Sequence, residues 1–497
     1  GFMTPSVPFA ERWKIIMKEK KSLVKNSIFN MIYQMLNVVF PLLTSVYVSH
    51  ILLDTGVGKV AYAQNIASYF VTLAPLGVLS YGVKEIAISG NNTEKRNKRF
   101  TELFIINFIS TTIFTFAYYL IVSQINIFKG NEMLLYVCGI QIVLNYINVD
   151  WLYQGLEEYG YITLRSFFVK IFSFLLLFVM VRTKQDYINY AWITCIATGG
   201  NNIFNVIYMR RYVKFDFKGL SFMRHIGPEL VLTGNVLLSN LYSKVDVTML
   251  GFLKGDAETG YYSNAFKITN IIMCLCAAIT STFLPRLSYY YEHDQKRFMQ
   301  LVNQGTKYIL FLTIPAMVGL AMISNLIVPG LFGEAFRPAA TTVIVLTPLI
   351  IIKGVGSLAC YQVAISSGNE KKQMIAYIVG AALNVSLNAL LIPRFAENGA
   401  AIASVAAELF INVIIFAQIR KMIKLRISWR FLGSTIISTL IMFFLLKGLL
   451  CLNISNALIK SGLCILVAGM EYIIVNALLK NDVIYEGIQF IKTKVKK

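Results

Sequence analysis

The sequence predicts an all-α polytopic membrane protein. It has fourteen transmembrane helices, twelve of them in two six-helix lobes related by a parallel repeat and two appended at the C-terminal end. Three observations carry this. Of 497 residues 56% are hydrophobic and only 14% are charged, against about 25% charged in an average soluble domain, and mean hydropathy is +0.62. Apolar runs of about 20 residues, the length that crosses a hydrocarbon core, recur along the whole chain. Lys and Arg gather in alternate loops, as the positive-inside rule requires.

The runs fall near 26–52, 58–88, 100–125, 132–155, 161–181, 187–209, 226–252, 258–285, 307–328, 338–366, 373–393, 399–419, 431–450 and 456–479. They divide the chain into an N-terminal segment (1–25), an N-lobe (26–215, spans 1–6), a C-lobe (222–425, spans 7–12), spans 13–14 (430–480) and a tail (481–497). An even number of crossings puts both termini on one side. That side carries Arg12, Lys14, Lys18, Lys20, Lys21 and Lys25, then Lys95, Arg96, Lys98 and Arg99. It also carries Arg210, Arg211, Lys214, Lys218 and Arg224, later Arg420, Lys421, Lys424, Arg426 and Arg430, and finally Lys492, Lys494, Lys496 and Lys497. Both termini are therefore expected in the cytoplasm, with the protein in the cytoplasmic membrane. The net charge of +21 reads as a topology signal and as attraction to anionic lipid rather than as a nucleic-acid surface. Exterior loops of about ten residues leave no room for a catalytic domain there. The function is expected among the helices.

The seven Cys (138, 195, 274, 276, 360, 451 and 464) lie in apolar runs or at their ends and read as small apolar fillers. His50, His225 and His293 form no ligand spacing, so no metal site is expected. A weak internal echo supports the two lobes. Val60-Ala-Tyr-Ala-Gln64 resembles Gly260-Tyr-Tyr-Ser-Asn264, Tyr153-Gln154 resembles Tyr361-Gln362, and Asn205-Val206-Ile207 resembles Asn412-Val413-Ile414. The offsets are 200, 208 and 207 positions, in order, so the unit is six spans and the repeat is parallel.

Polar residues inside the spans mark the candidate site, because charge near hydrocarbon is costly. Span 1 carries Asn26, Asn30, Gln34, Asn37, Pro41 and Thr44 on one helical face, and span 2 repeats the idea with Gln64, Ser68, Thr72 and Pro75. Such a stripe lines a hydrated cavity or glues helices together. Lys84 and Glu85 close span 2, Lys244 and Asp246 lie in span 7, Lys267 in span 8 and Lys353 in span 10. Ser263, Lys267 and Asn270 share a face, as do Lys353, Ser357 and Tyr361. Lys84 has the alternative of snorkelling to the interface, and Lys244 and Asp246 that of pairing with each other. A cavity lined by Lys84, Lys244, Lys267, Lys353, Asn30, Gln34, Asn37, Gln64 and Asn264 suits an anionic ligand, a lipid-linked pyrophosphate being one candidate.

The densest charge cluster runs from Asp150 to Ser166. Asp150, Gln154, Glu157 and Tyr161 are spaced to share a helical face, Glu158 and Arg165 are spaced to pair, and Gly155 and Gly160 loosen the helix. The cluster reads as a gate whose salt bridges change between states, or as a fixed loop lock. Asp150, Glu157, Glu158, Arg165 and Asp246 are the candidates for gating or ion coupling.

At Asp150-Trp-Leu-Tyr-Gln-Gly-Leu-Glu157 the chain resembles the bacterial polysaccharide transporters that flip undecaprenyl-pyrophosphate-linked oligosaccharides, the Wzx-type flippases. Leu331-Phe-Gly-Glu-Ala-Phe-Arg-Pro338 is a second match. A third runs from Gly368-Asn-Glu-Lys-Lys372 through Asn384 and Asn388 to Ile392-Pro-Arg-Phe395 and Asn398-Gly-Ala-Ala-Ile-Ala403. The last two are shared across the multidrug/oligosaccharidyl-lipid/polysaccharide exporter superfamily. The resemblance covers nearly the whole chain and implies twelve core helices in two lobes, often two more, with alternating access and no ATP hydrolysis. It also implies an undecaprenyl-pyrophosphate-linked oligosaccharide as substrate, for capsule or other surface polysaccharide, with a polysaccharide polymerase and other assembly proteins as partners. No cofactor is expected beyond coupling to a sodium or proton gradient. The alternative is a multidrug exporter driven by such a gradient, against which stands the absence of an acidic residue in 26–52. A membrane glycosyltransferase needs large exterior loops and acids there, and no Gly-x4-Gly-Lys-Ser/Thr phosphate loop is present. The chain is therefore not expected to be an enzyme.

Overall fold

A computed structural model describes residues 9–90, 92–367, 370–420 and 425–486, with the backbone alone for 9–28, 228, 231–232, 235–236, 238–243, 285, 359 and 370–372. Lys421, Lys424, the Lys492–Lys497 cluster, and the side chains of Asn26 and of the basic run from Arg12 to Lys25 lie outside the described residues. Among those described, every regular element is helical.

In chain order the α-helices are α1 (Phe9–Leu73), α2 (Val78–Ser89), α3 (Thr93–Gln124), α4 (Glu132–Val143), α5 (Asp150–Gly155), α6 (Tyr159–Met180), α7 (Tyr187–Gly199), α8 (Asn201–Met209) and α9 (Met223–Leu253). They continue with α10 (Asp256–Ser281), α11 (Leu284–His293), α12 (Gln295–Phe332), α13 (Ala339–Leu346), α14 (Pro348–Val355), α15 (Val363–Ser366), α16 (Glu370–Ile419), α17 (Trp429–Leu450) and α18 (Ala457–Leu478). Polar caps start several of them: Asn92, Asp294, Ser428 and Asn456 accept hydrogen bonds from the first-turn N–H groups of α3, α12, α17 and α18.

Among the described residues nine helical stretches are long and apolar enough to cross a membrane, and the chain is a multi-pass membrane protein. Two of these are 61 and 47 residues long. At 1.5 Å per residue the longer would reach about 90 Å if straight, three times a hydrocarbon core. Both are broken. The backbone leaves the helix at Leu53 (φ 57°, ψ −168°) in α1 and at Ala396 (φ 47°, ψ −129°) in α16. Large apolar side chains such as Phe116, Phe444, Leu466 and Ile473 stand exposed, as a lipid-facing surface requires.

The chain forms two compact units, each drawn from three stretches: 1–40, 67–180 and 188–237 in the first, 41–66, 181–187 and 238–497 in the second. The first unit packs α2 against α3 and α5 around Val78, Ile86, Phe100, Trp151 and Tyr153. Trp151 stacks on Phe100 at 5.3 Å and 27°. Gly155, expected to loosen the cluster helix, is the last residue of α5 and also allows a close approach, since a Cβ there would sit 2.7 Å from that of Ile86 on α2.

The second unit packs α10, α12, α13, α14 and α16 together, with Phe298, Val302, Leu358 and Ile411 in its core. Helices α17 and α18 pack on each other and on α12 through Ile323, Met442 and Cys464. Here the turn after Leu53 lies backbone to backbone against the start of α10. A Cβ on Gly58 would fall 1.6 Å from the Asp256 carbonyl oxygen, and one on Gly260 would fall 2.4 Å from that of Asp54. Only glycine permits this approach. It brings the α1 stretch 41–66 alongside α10 and assembles the polar cluster described next.

Candidate functional site

The first unit holds a buried charge node. The Arg165 guanidinium, on α6, donates to Asp150 Oδ1 at 2.9 Å and to the Asn205 side-chain oxygen. Asn205 Nδ2, on α8, donates to the same Asp150 oxygen at 2.5 Å. Tyr161 lies under the guanidinium at 5.4 Å and stacks on Tyr208 at 4.3 Å. Tyr153 donates its hydroxyl to the Asn205 carbonyl at 2.6 Å. Three segments distant in sequence are tied by one carboxylate.

The pairing expected from spacing is different. Glu158 does not meet Arg165; it accepts a hydrogen bond from the Tyr212 hydroxyl at 2.9 Å. The reason is local. The N–H of Glu158 bonds the carbonyl of Tyr153, and that of Glu157 bonds Gln154, closing α5 with Glu157 in the left-handed region at φ 59°. The helix stops there, so Asp150, Gln154, Glu157 and Tyr161 share no continuous face. Glu157 is left exposed. Burial, then hydrogen bonds to Tyr208 and Glu158, push the Tyr212 phenol up, which keeps it a donor.

Of the span-1 stripe, Asn30 is half-buried while Gln34 and Asn37 are exposed, all three in the first unit. Asn37 hydrogen-bonds Tyr33, which lies within electrostatic reach of Asp150 and Arg165. Lys84 is exposed on α2, and its neighbour Glu85 pairs with Arg99 at 2.9 Å.

The second unit holds two further nodes. In one, the Lys267 ammonium donates to Ser45 Oγ at 2.8 Å and to Asn264 Oδ1 at 3.1 Å. Ser45 donates to the same Asn264 oxygen at 2.7 Å, and Asn264 Nδ2 donates to Ser49 Oγ at 2.8 Å. Asn264 is wholly buried, and Lys267 half-buried. Lys267 thus meets Asn264, one helical turn away.

In the other, Asp246 of α9 is buried and accepts from Tyr262 Oη at 2.5 Å, from Asn388 Nδ2 at 2.6 Å and from the Ser404 hydroxyl. Asn388 Nδ2 also donates to Asn384 Oδ1 at 3.1 Å. Buried Asn388 Oδ1 and Asn384 Nδ2 lack a hydrogen-bond partner among the described residues. The pairing of Lys244 with Asp246 does not form. Asp246 is satisfied by neutral donors, while the Lys244 carbonyl accepts from Asn65 Nδ2 at 2.9 Å. Their spacing of two sends the side chains to different faces of α9.

Lys353, at the end of α14, lies 3.6 Å from the Glu408 carboxylate of α16. A π-helical turn, Gly356–Gln362, follows it, and Asn412 Nδ2 takes up the Ile352 carbonyl at 3.0 Å. Gln64 is half-buried in the second unit.

Sequence reasoning missed Ser45, Ser49, Tyr262, Ser404 and the bridging role of Asn205. Ser45 and Ser49 are spaced four apart just beyond the polar stripe that ends at Thr44, so continuing that stripe finds them. Ser404 is one hydroxyl in an Ala-rich run and carries no such signal.

A family model described as "Polysaccharide biosynthesis protein" matches residues 23–290, and one described as "Lipid II flippase MurJ" matches residues 174–468. The "Putative O-antigen transporter" of Escherichia coli (strain K12) is 24% identical over 411 residues, which cover 81% of this chain and 97% of that protein. The solved structure "Lipid II flippase MurJ, inward closed conformation" superposes with a TM-score of 0.74 at 17% identity, over 93% of this chain and 100% of the other. An inward-facing multidrug resistance transporter of the MATE family and MOP superfamily gives a TM-score of 0.62 at 15% identity, over 80% of this chain and 97% of its own. Both structural likenesses are likenesses of fold.

Proposed function

Since the chain belongs to the polysaccharide biosynthesis protein family, whose members include flippases of lipid-linked glycan precursors, we propose that it carries an undecaprenyl-pyrophosphate-linked oligosaccharide from the cytoplasmic to the outer leaflet. The glycan is a repeat unit of capsule or another surface polysaccharide, handed on to a polymerase and other assembly proteins. The reading includes fourteen crossings, with the breaks at Leu53 and Ala396 each separating two of them, and both termini in the cytoplasm of a bacterial cell. The observation that carries it is the likeness to the O-antigen transporter across 97% of that protein's length.

The chemistry of the second unit supports an anionic cargo. An ammonium has three N–H donors. Ser45 and Asn264 take two from Lys267, leaving one for a phosphate oxygen. Partial burial strengthens that attraction relative to water. The polyprenyl tail stays in lipid, whose hydrocarbon it matches, while the head group is passed across by alternating access.

Asp246 is the candidate for ion coupling. Its carboxylate, Ser404 Oγ, Tyr262 Oη and the unpartnered Asn388 Oδ1 form an oxygen-rich set, the donor type that hard cations prefer. A sodium ion or a proton bound at Asp246 would displace or reorient its donors on α10 and α16, which links ion binding to helix position.

The test is flipping of a labelled undecaprenyl-pyrophosphate oligosaccharide in proteoliposomes, intact protein against Lys267→Ala. Flipping lost in the variant is the expected result. Equal flipping in both removes Lys267 from the site. No flipping, with sodium- or proton-coupled export of organic cations instead, overturns the function in favour of drug export.

A further inference from the structure

Buried titratable groups that none of these nodes uses gather in the first unit, where α9 begins. Glu229 of α9 is 1% exposed, and neither carboxylate oxygen has a hydrogen-bond partner among the described residues. Its backbone carbonyl accepts from Thr233 Oγ1 at 2.7 Å. That carbonyl lies 2.6 Å from where a Cβ on Gly77 would stand. Gly77, at φ 76°, caps the start of α2, so α9 sits directly on the turn into α2.

One turn before Glu229, His225 is wholly buried. Its Nε2 lies 2.9 Å from Glu102 Oε2 on α3 and its Nδ1 lies 3.2 Å from the Tyr81 hydroxyl on α2, with the two rings edge to face at 5.5 Å. Glu102 is wholly buried as well and also accepts from the Ser221 N–H at 2.7 Å and from Arg224. The segment leading into α9 is therefore laced onto α3. The Lys214 N–H donates to Asn97 at 3.0 Å, the Asp216 N–H to Thr101 at 2.9 Å, and the Ser221 N–H to Glu102.

Among the charges on the elements around Glu229, Glu85 on α2 pairs with Arg99 on α3, and Glu102 on α3 pairs with Arg224 and His225 of α9. Tyr81 of α2 hydrogen-bonds Glu85 and lies within electrostatic reach of Glu229 and Arg224. Glu229 is the acid without a counter-charge in this set. Burying an ionised carboxylate away from any donor is costly, and protonation removes that cost.

We propose that Glu229 is a proton-binding site whose protonation holds α9 and the segment 214–222 docked on α2 and α3. The proton comes from water when the start of α9 lifts from α2, and it returns to water on deprotonation. On deprotonation Glu229 turns to water, and α9 leaves the Gly77 turn.

The experiment uses the full chain in lipid nanodiscs, independent of any transport substrate. Infrared difference spectra are taken as pH is raised, with amide hydrogen exchange of 214–233 followed in parallel. The intact protein is expected to lose a protonated-carboxyl band and, over the same pH range, protection in 214–233. Glu229→Gln loses the band and the pH dependence of protection, and Glu229→Asp keeps both. A band that persists in Glu229→Gln, or protection in that variant that follows the intact protein's pH profile, overturns the proposal.

Discussion

Replacing Arg165 by Met keeps the aliphatic stem and removes the guanidinium that joins α6 to Asp150 and Asn205. Arg165 is 4% exposed and Asp150 20% at the side chain, so the pair lies between two known limits. Breaking a fully buried pair costs about 3–5 kcal/mol, and an exposed pair is worth about 0–1 kcal/mol. The abandoned carboxylate keeps the Asn205 donor at 2.5 Å and some solvent, which places Arg165→Met at about 2–3 kcal/mol. Asp150→Asn strands the guanidinium instead and costs a similar amount. The double variant carries no stranded charge, so its cost falls below the sum of the singles by about 1–2 kcal/mol. Reversible unfolding in mixed micelles, followed by tryptophan fluorescence, reads the difference. Trp151 adjoins Asp150 and stacks on Phe100, and a background with Trp13, Trp192 and Trp429 replaced by Phe isolates its signal. Additivity of the two singles to within about 0.5 kcal/mol would refute the view that the three side chains act as one unit.

Two further predictions rest on backbone contact and on charge. Gly58→Val drives a Cβ into the Asp256 carbonyl, so it costs at least the upper end of the about 1–3 kcal/mol seen for over-packing. Gly462→Ala in α18, which meets nothing within 4 Å, leaves the protein unharmed; monodisperse yield on size exclusion compares them. The hydrogen bond from Lys307 at 2.8 Å, with another from Ser428, holds the Asp482 carboxyl below its ordinary value against an opposing effect of burial. A lowered native value means that this stabilisation is complete above the unfolded value of about 4 and is lost as pH falls through the lower, native one. The exchange protection factor of 481–486 is therefore flat from neutral pH down to about 5 and falls below about 4, and Asp482→Asn removes that acid limb. An acid limb unchanged in the variant would assign the effect elsewhere.

The sequence made the cost of charge visible, and not the partner that offsets it. Asp150, Arg165, Asp246, Lys267 and Lys353 stood out because each is ionisable within an apolar run, and the structure gives every one of them a polar contact. Their partners were mostly neutral: Ser45, Asn264, Tyr262, Asn388 and Ser404. Serine and tyrosine in an apolar helix are common enough that only the fold reveals which meet a charge. Pairing by helical spacing failed at Glu158 and Arg165 because it assumed an unbroken helix, and the break falls on Glu157 at φ 59°, a conformation that residue type alone does not announce. The nearby glycine that drew attention, Gly155, ends α5 and is also held small by its contact with Ile86. The same limit hid the Glu229 group. Glu102, His225 and Glu229 sit at the edges of apolar runs, where charge is ordinary and snorkelling is the simplest reading. What makes them unusual is complete burial, a property of the packed α2, α3 and α9. A sequence can therefore show where charge ought to be costly along a helix, whereas the acid most in need of a proton here is one that its position made look inexpensive.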